Sequence, residues 1–366
     1  MNNTINPFTP SFGEIPLHFA GRDRIIAEME HAFAQNRRVP ELITLISGAR
    51  GTGKTALMGR MCQAARKNGW IAVKTVAGAG MLEDILQHAI KDSAHIINDD
   101  SSQRRLKGIG IGQIVNLEWE FKNTGSENWR IRMEDLLDLL AEHDIGLCIA
   151  VDEINVREAE LIYLASTYQI FVNDNRKVAL LMAGLPYNIE KAKSNERISF
   201  VRRAQQRRLA RIEDFAVADA IKKTVEDGGR KIEKKALDIA VDAAKGFPFL
   251  IQLIGYRMWQ ENPNAETITA NDAEKGTDLA MQELRTYVLE STYRELSDGD
   301  LNFLRVMLGD EKDSSLKDIA KRLGKSSAHV GTYKTRLCKA GVIGETDRGR
   351  VGFDLPGFKE FLKEKL

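Results

Sequence analysis

The sequence contains 366 residues, of which 43% are hydrophobic and 29% are charged, and its formal net charge is +1. This length and composition are those of a folded protein with two or three domains, which excludes the disordered and fibrous classes. So small a net charge also excludes a general polyanion binder, and any nucleic-acid site must be a local patch.

The cysteines and the N-terminal residues indicate the compartment. Cys62, Cys148 and Cys338 have neither metal-binding nor redox spacing, which predicts reduced and mostly buried thiols. The first residues lack the basic and apolar regions of a signal peptide, and no apolar run reaches membrane-spanning length. We therefore expect a cytoplasmic protein that does not contact a membrane.

Apolar strands alternate with amphipathic helices along the first half of the chain. Residues 1–20 are rich in proline, phenylalanine and turn formers, and we expect an arm that lies over another part of the protein. Strands are predicted at residues 41–47, 70–78, 147–154 and 178–184, and helices at residues 22–36, 55–69, 81–97 and 159–174. The alternation predicts an α/β fold, a doubly wound parallel sheet with helices on both faces, over residues 21–195.

Residues 106–129 depart from this pattern. The spacing of Ile114, Leu117, Trp119 and Phe121 predicts a β-hairpin inserted into the core. Two roles are open for such an insertion: a contact with DNA or a partner, or a flap that stabilises the fold.

The second half of the chain is mostly helical. Helices predicted at residues 202–211, 213–228, 233–246, 247–262 and 269–292 form an α-helical lid over residues 196–292. Residues 293–366 form a smaller unit, with helices at residues 297–310, 314–325 and 326–343 and a hairpin at residues 344–355. This order predicts a winged helix-turn-helix, whose third helix would enter a DNA major groove.

The octapeptide GARGTGKT, which follows a predicted strand and opens a predicted helix, has the phosphate-loop pattern G-x-x-x-x-G-K-[ST]. Its glycines allow backbone N–H groups to surround phosphates, Lys54 adds a positive charge, and Thr55 offers a hydroxyl to Mg²⁺. The predicted nucleotide contacts are Gly48, Ala49, Arg50, Gly51, Thr52, Gly53, Lys54, Thr55 and Ala56.

Two acids end the apolar strand LCIAVDE. Asp152 is placed to hold Mg²⁺ with Thr55, and Glu153 to polarise the attacking water, while Lys54 assists catalysis. The alternative is that the two acids only cap the next helix. Because the sequence has no N/T-K-x-D stretch for guanine, ATP and its product ADP are favoured as ligands.

Residues 17–255 resemble an AAA+ ATPase of the group that includes the archaeal and eukaryotic replication initiators and the related signalling (STAND) ATPases. Besides the two motifs above, FAGRDRII at residues 19–26 and GFPFLIQLIG at residues 246–255 carry the resemblance. It implies that four residues line the adenine side: Phe19, Gly21, Arg22 and Pro248. Pro248 is also a helix-starting proline, and the two roles are compatible.

The chain departs from this family at two polar positions. The fourth strand ends in Ala183 and Gly184, without a polar sensor residue, and Asn188 is the nearest amide. Gln252 stands where many members have a sensor arginine, and Arg257 follows it. These departures imply slow or partner-stimulated ATP hydrolysis.

Five arginines lie between residues 202 and 211, within ISFVRRAQQRRLARI. Phe200–Arg203 resembles an F-x-x-R pattern of related ATPases, which implies that Arg203 reaches a neighbouring subunit of a homo-oligomer as an arginine finger. Arg207, Arg208 and Arg211 are expected on a solvated or acid-paired helix face, and Arg202 is undecided. A general DNA-binding patch here is the alternative.

The predicted winged helix is locally basic, with nine Lys or Arg and three acids between residues 317 and 350. Such a patch suits contacts with DNA phosphates and base edges, although a protein-binding or purely structural module is the alternative. The predicted DNA contacts are Ser326, Ser327, His329, Thr332, Tyr333, Lys334, Arg336, Arg348 and Arg350.

Two functions remain open from the sequence. The first is an ATPase whose nucleotide state regulates DNA binding through the winged helix. The second is a STAND-like signalling or defence ATPase whose winged helix contacts protein. An AAA+ unfoldase is disfavoured because the sequence has no aromatic-hydrophobic pore loop of the usual kind.

Overall fold

A computed structural model describes residues 5–11, 13–35, 37–99 and 129–366. The predicted hairpin at residues 106–129 lies outside these residues, except for Trp129, which opens a helix. The core is a five-stranded parallel sheet in the order β2-β3-β4-β1-β5. Its strands are β1 (Ile43–Gly48), β2 (Trp70–Val76), β3 (Gly146–Asp152), β4 (Val178–Gly184) and β5 (Gln205–Leu209).

Helices cover both faces of the sheet, as the alternation of elements predicts. On β3, Leu147, Ile149 and Val151 join one hydrophobic cluster, and Cys148 and Ala150 join the cluster on the opposite face. Consecutive strand residues point to opposite faces, which is why strands buried on both sides are continuously apolar. The core helices are α1 (Asp23–Ala34), α2 (Lys54–Lys67), α3 (Met81–Asp99), α4 (Trp129–Glu142), α5 (Ala159–Asn173) and α6 (Pro186–Ser194).

The prediction of a helix at residues 202–211 is wrong. Glu196–Arg203 forms a 3₁₀ helix, and the chain then extends as β5, which pairs with β1 in parallel register. β5 is an edge strand with exposed Gln206 and Arg208, so its pattern lacks the apolar run of the central strands. The arginine-rich stretch therefore belongs to the core sheet.

Residues 214–292 of the predicted lid are mostly helical, whereas its first part contains β5 of the core sheet. Thr269 and Asp272 form a capping box at the start of α10, which continues into a π-helical turn at Leu284–Leu289. The helices are α7 (Asp214–Asp227), α8 (Lys234–Ala244), α9 (Pro248–Glu261), α10 (Ala270–Glu283) and α11 (Glu290–Arg294), with the short strands β6 (Lys231–Ile232) and β7 (Thr267–Ile268).

The C-terminal unit contains the three helices and the hairpin predicted for a winged helix-turn-helix. An additional short strand pairs with the hairpin, giving an antiparallel sheet in the order β8-β10-β9. The elements are α12 (Asp298–Leu308), β8 (Ser314–Ser315), α13 (Leu316–Leu323), α14 (Ser327–Lys339), β9 (Ile343–Asp347), β10 (Arg350–Phe353) and α15 (Phe358–Lys365).

The lid and the C-terminal unit share one hydrophobic cluster. It runs from Trp259 of the lid to Phe358 of the C-terminal unit, and it includes Phe8 of the N-terminal arm.

All three cysteines are buried and free, as predicted. Within the described residues, no helix combines the length and apolar character needed to cross a membrane.

Candidate nucleotide site

The phosphate loop connects β1 to α2 at the carboxyl edge of the sheet. Gly51 has φ +76° and Gly53 has φ +82°, a left-handed backbone that favours glycine. A Cβ atom on Gly48 would lie 2.5 Å from Thr52 Oγ1, so the loop also needs glycine there. The loop thus directs backbone N–H groups of the α2 N-terminus towards the adjoining cavity.

Lys54 is held inside this loop. Its side chain is buried, and Nζ donates hydrogen bonds to the carbonyl oxygens of Gly48 at 3.0 Å and Ala49 at 2.9 Å. Burial lowers the pKa of Lys54, while the charges of Glu153 and Asp152 oppose that shift. A phosphate arriving at the loop would further stabilise the ammonium form.

Thr55 and Asp152 lie together, as a Mg²⁺ site requires. The Thr55 hydroxyl donates a hydrogen bond of 2.6 Å to Asp152 Oδ2, and Asp152 is only 4% exposed. Within the described residues, no group of three or more His, Cys, Asp or Glu side chains is arranged to hold a metal ion. A hydroxyl and one carboxylate fit Mg²⁺, which takes its remaining ligands from phosphates and water.

Glu153 adopts a backbone conformation that is unusual for a residue other than glycine. Its φ is +50°, and its N–H donates a hydrogen bond of 2.9 Å to Asp152 Oδ1. This turn separates the two acids, since Asp152 bonds Thr55 while the exposed Glu153 lines the cavity. The helix-cap alternative fails for α5, which begins at Ala159.

A cavity of about 510 Å³ adjoins the loop, a volume typical of small-ligand sites. Three of the four residues assigned to the adenine side by resemblance line it: Phe19, Arg22 and Pro248, which starts α9. Gly21 (φ +61°) is not among its lining residues and lies against Ile212. The walls include Arg50–Leu57 of the loop and α2, Glu153 after β3, Phe247–Gln252 of the lid, and Leu355 with Pro356. The arm contributes Thr9, Pro10, Ser11, Gly13, Glu14, Pro16, His18 and Phe19.

Apart from Phe19, the arm was missed as part of this site, and so was the C-terminal unit. The only signal for the arm was its proline- and phenylalanine-rich composition. No sequence signal placed Leu355 and Pro356 near the loop. Asn188, the nearest amide to a sensor position, lies on α6 and lines neither this cavity nor the smaller one described next.

The C-terminal unit contacts the phosphate loop directly. A Cβ atom on Gly341 would lie 3.0 Å from Arg50 Nε, so this backbone packs closely on the loop. A second cavity of about 150 Å³ between them is lined by Gly48, Ala49 and Thr52 of the loop, by Arg208 and Arg211, and by Asp354. Burial raises the pKa of the Asp354 carboxyl, while Arg208, Lys54 and Arg211 lower it. Asp354 is thus close enough to these cations for their charges to act on it.

The arginines of residues 202–211 have different surroundings. Arg207 pairs with Glu28 of α1, and Arg202 donates a hydrogen bond to the Lys193 carbonyl oxygen. Arg211 lies over the Phe247 ring, 4.7 Å from its centroid. Arg203 is exposed and has no ion pair or hydrogen bond with any residue that the structure describes. Arg208 is exposed too, without an ion pair or hydrogen bond to a described residue, but it lines the smaller cavity beside Asp354.

The predicted DNA-contact residues divide into two groups. Arg336 pairs with Asp300 and lies over Tyr333, Lys334 pairs with Glu345, and Arg350 pairs with Asp313. These three cations are therefore engaged within the C-terminal unit. Arg336 is exposed although it is paired. The other exposed residues, which have no ion pair with a described residue, are Ser326, Ser327, His329, Thr332 and Arg348, and the Ser326 hydroxyl caps α14.

Three exposed lysines extend this surface. Lys317 and Lys321 lie one turn apart on α13, and Lys325 follows in the turn before α14. None of them has an ion pair with a residue in the described ranges. We call Lys317, Lys321 and Lys325 the α13 lysine row.

Comparisons with known proteins agree with this geometry. Residues 18–171 match the family model described as AAA ATPase domain, and residues 286–362 match one described as Domain of unknown function (DUF8462). No curated protein sequence matches the chain.

Solved structures resemble the whole chain. Aeropyrum pernix ORC2, solved as ADPNP-ADP complexes, has a TM-score of 0.62 at 12% identity over 97% of this chain and 95% of that one. A Walker-type ATPase of Pyrococcus abyssi has a TM-score of 0.62 at 14% identity, covering 94% and 96%. Cdc6p from Pyrobaculum aerophilum has a TM-score of 0.50 at 14% identity and covers 98% of each chain. At these identities the likeness shows the fold: residues 18–171 match the AAA ATPase domain model, and the chain has a fold similar to those of ORC2 and Cdc6p.

Proposed function

We propose that the protein binds and hydrolyses ATP, and that its nucleotide state regulates DNA binding by the C-terminal unit. The observation that carries this proposal is the direct contact between Arg50 of the phosphate loop and Gly341 of the C-terminal unit. A ligand that rearranges the loop changes the surface against which this unit packs. Nucleotide binding at the loop thereby changes the DNA affinity of the C-terminal unit.

The chain supplies the groups that ATP hydrolysis needs. The α2 N-terminus and Lys54 bind the phosphates, and Thr55 with Asp152 would hold Mg²⁺, which neutralises phosphate charge when bound. Glu153 accepts a proton from the attacking water as its oxygen approaches the terminal phosphorus. The end of β4 offers Ala183 and Gly184, without a polar side chain to assist, so we expect slow turnover.

In this proposal, assembly of several copies adds one further cation to the nucleotide site, the Arg203 guanidinium of a neighbouring copy. If Arg203 reaches the nucleotide of a neighbouring copy, Arg203→Ala lowers turnover of the assembled protein on the order of 10³-fold and leaves the isolated chain unaffected. Turnover should be measured over a range of protein concentrations, with the size of the particles followed by light scattering. Arg202→Ala is the matched control, because Arg202 is bound to the Lys193 carbonyl oxygen. Full activity of the assembled Arg203→Ala protein would show that Arg203 does not act as an arginine finger.

DNA binding is tested by fluorescence anisotropy of a short labelled duplex at several salt concentrations. We expect binding in the micromolar range or tighter, which weakens with salt because phosphate contacts release counterions. Replacing the α13 lysine row with glutamine lowers the salt slope by about 1 for each DNA phosphate that a lysine no longer neutralises.

The matched control replaces three exposed lysines of the lid, Lys231, Lys234 and Lys275, with glutamine, the same change in net charge. Equal losses of affinity from both triple variants would show that the α13 lysine row does not bind the DNA. The absence of DNA binding with ATP, with ADP and without nucleotide would contradict a DNA-binding function and favour the STAND-like alternative, in which this unit contacts protein. The internal pairing of Lys334, Arg336 and Arg350 is the observation that supports this alternative.

A further inference from the structure

The chain leaves β3 through a sharp turn at Glu153, directly before Ile154. Along β3 the side chains alternate between the two faces of the sheet, so Val151 joins one hydrophobic cluster and Asp152 bonds Thr55 on the opposite face. If the strand simply continued, Glu153 would follow Val151 into the apolar cluster, and Ile154 would follow Asp152. The structure shows the reverse: Glu153 is exposed and lines the nucleotide cavity, whereas Ile154 is fully buried in the cluster of Val151.

One backbone angle produces this exchange. The φ of Glu153 is +50°, a left-handed conformation in which the Cβ atom of any residue other than glycine is crowded. A glutamate keeps this conformation only where the surrounding structure holds it. The hydrogen bond from the Glu153 N–H to Asp152 Oδ1 restrains the side of the turn that faces β3. The other side needs an anchor of its own.

That anchor is Ile154, which is fixed to the end of β4 by its backbone and by its side chain. Its N–H donates a hydrogen bond of 2.9 Å to the Ala183 carbonyl oxygen. Its side chain lies against Gly184, where a Cβ atom would be 2.9 Å from Ile154 Cγ1, closer than side chains pack. A side chain at position 184 would therefore displace Ile154. The glycine that ends β4, where a polar residue is absent, is the seat of this isoleucine.

We propose that Ile154 and Gly184 are positioning residues for ATP hydrolysis: the isoleucine, seated on the glycine, holds Glu153 in its left-handed conformation and its carboxylate at the nucleotide cavity. This role rests on the proposed function, in which Glu153 accepts a proton from the attacking water. Neither positioning residue lines a cavity. If Ile154 leaves its seat, the backbone of Glu153 relaxes and the carboxylate turns away from the water, although the phosphate loop and the Mg²⁺ ligands stay intact.

The first test measures the turnover and the ATP affinity of two variants. Ile154→Ala removes the anchored side chain, and Gly184→Ala places a Cβ atom against it. Both should lower kcat by about tenfold to 100-fold, the effect of a misplaced reacting group, and leave the calorimetric ATP affinity within about threefold. Ile154→Val keeps a branched side chain on the seat and should recover most of kcat. Ile90→Ala is the matched control, because it makes the same truncation in the same cluster, on α3, and should leave kcat unchanged.

A double variant separates positioning from general damage to the site. Added to Glu153→Gln, Ile154→Ala should cause no further loss of kcat, because the group that it positions is already gone. The same loss with and without Glu153→Gln would overturn the proposal, and so would an unchanged kcat of the folded single variants. Thermal unfolding without ligand establishes that each variant is folded, and Gly184→Ala serves in the same way if Ile154→Ala does not fold.

A second test does not need hydrolysis. Glycine is favoured over alanine where the backbone is left-handed, whereas alanine is favoured elsewhere. Glu153→Gly should therefore unfold about 2 °C or more above Glu153→Ala, and this difference should disappear when Ile154→Ala is also present. A difference that persists without the Ile154 side chain would show that another contact holds the turn, which overturns the proposal. Failure of the unaltered protein to hydrolyse ATP would refute the proposed function, and this comparison would still decide whether Ile154 holds Glu153.

Discussion

Lys54→Ala is expected to weaken ATP binding about 100-fold or more, which removes binding at ordinary ligand concentrations. The lysine lies inside the loop and donates hydrogen bonds to the carbonyl oxygens of Gly48 and Ala49. A phosphate brought there forms charge-assisted hydrogen bonds with the ammonium group, which are stronger than neutral ones. Calorimetric titration with ATP and Mg²⁺ measures the loss.

The control for this experiment is Lys67→Ala, at the exposed end of the same helix, which should bind ATP as the unaltered protein does. Because Lys54 is buried, the unfolding midpoint of both variants must be compared without nucleotide. An ATP affinity unchanged by Lys54→Ala would refute the assignment of the phosphate loop.

Glu153→Gln is expected to separate binding from turnover. Glutamine keeps the size of the side chain but cannot take a proton, so hydrolysis falls by about 10²–10⁴-fold, the usual contribution of a general base. ATP affinity should stay within a few-fold, because Asp152 and Thr55 remain bonded to each other. Phosphate release and calorimetry, on the same protein sample, measure the two quantities.

Glu158→Gln is the matched control, since Glu158 lies five residues further along and lines neither cavity. It should leave turnover unchanged. If Glu153→Gln hydrolyses ATP at the original rate, another group activates the water. If it loses ATP binding instead, Glu153 acts on the ligand and not on the water.

The core and the phosphate loop could be predicted because their signals are local. Strands buried on both faces carry continuous apolar runs, as β3 and β4 do, and these separate clearly from amphipathic helices. The phosphate loop needs its glycines at fixed spacing, whatever the rest of the chain does. Lys54, Thr55, Asp152 and Glu153 accordingly lie together, as predicted.

The errors concern features that depend on distant residues. β5 was predicted as a helix because Gln205–Leu209 has the residues of a solvated helix, and only its pairing with β1 makes it a strand. The ion pair between Arg350 and Asp313, 37 positions away, was likewise not predicted, while the DNA contact of Arg350 stays a prediction. The bond between Thr9 and Gln252 spans 243 positions, and no local pattern announces it.

The cavity walls come from distant parts of the chain, and this affects the thermal stability of the protein. Residues from Thr9 to Pro356 line one space, so a ligand there contacts the arm, the core, the lid and the C-terminal unit together. A ligand that binds only the folded state stabilises it by RT ln(1 + [L]/Kd), about 2.7 kcal/mol at a concentration of 100 Kd. Nucleotide bound as we propose would act as a non-covalent cross-link between these parts, and we expect its depletion to lower the unfolding temperature.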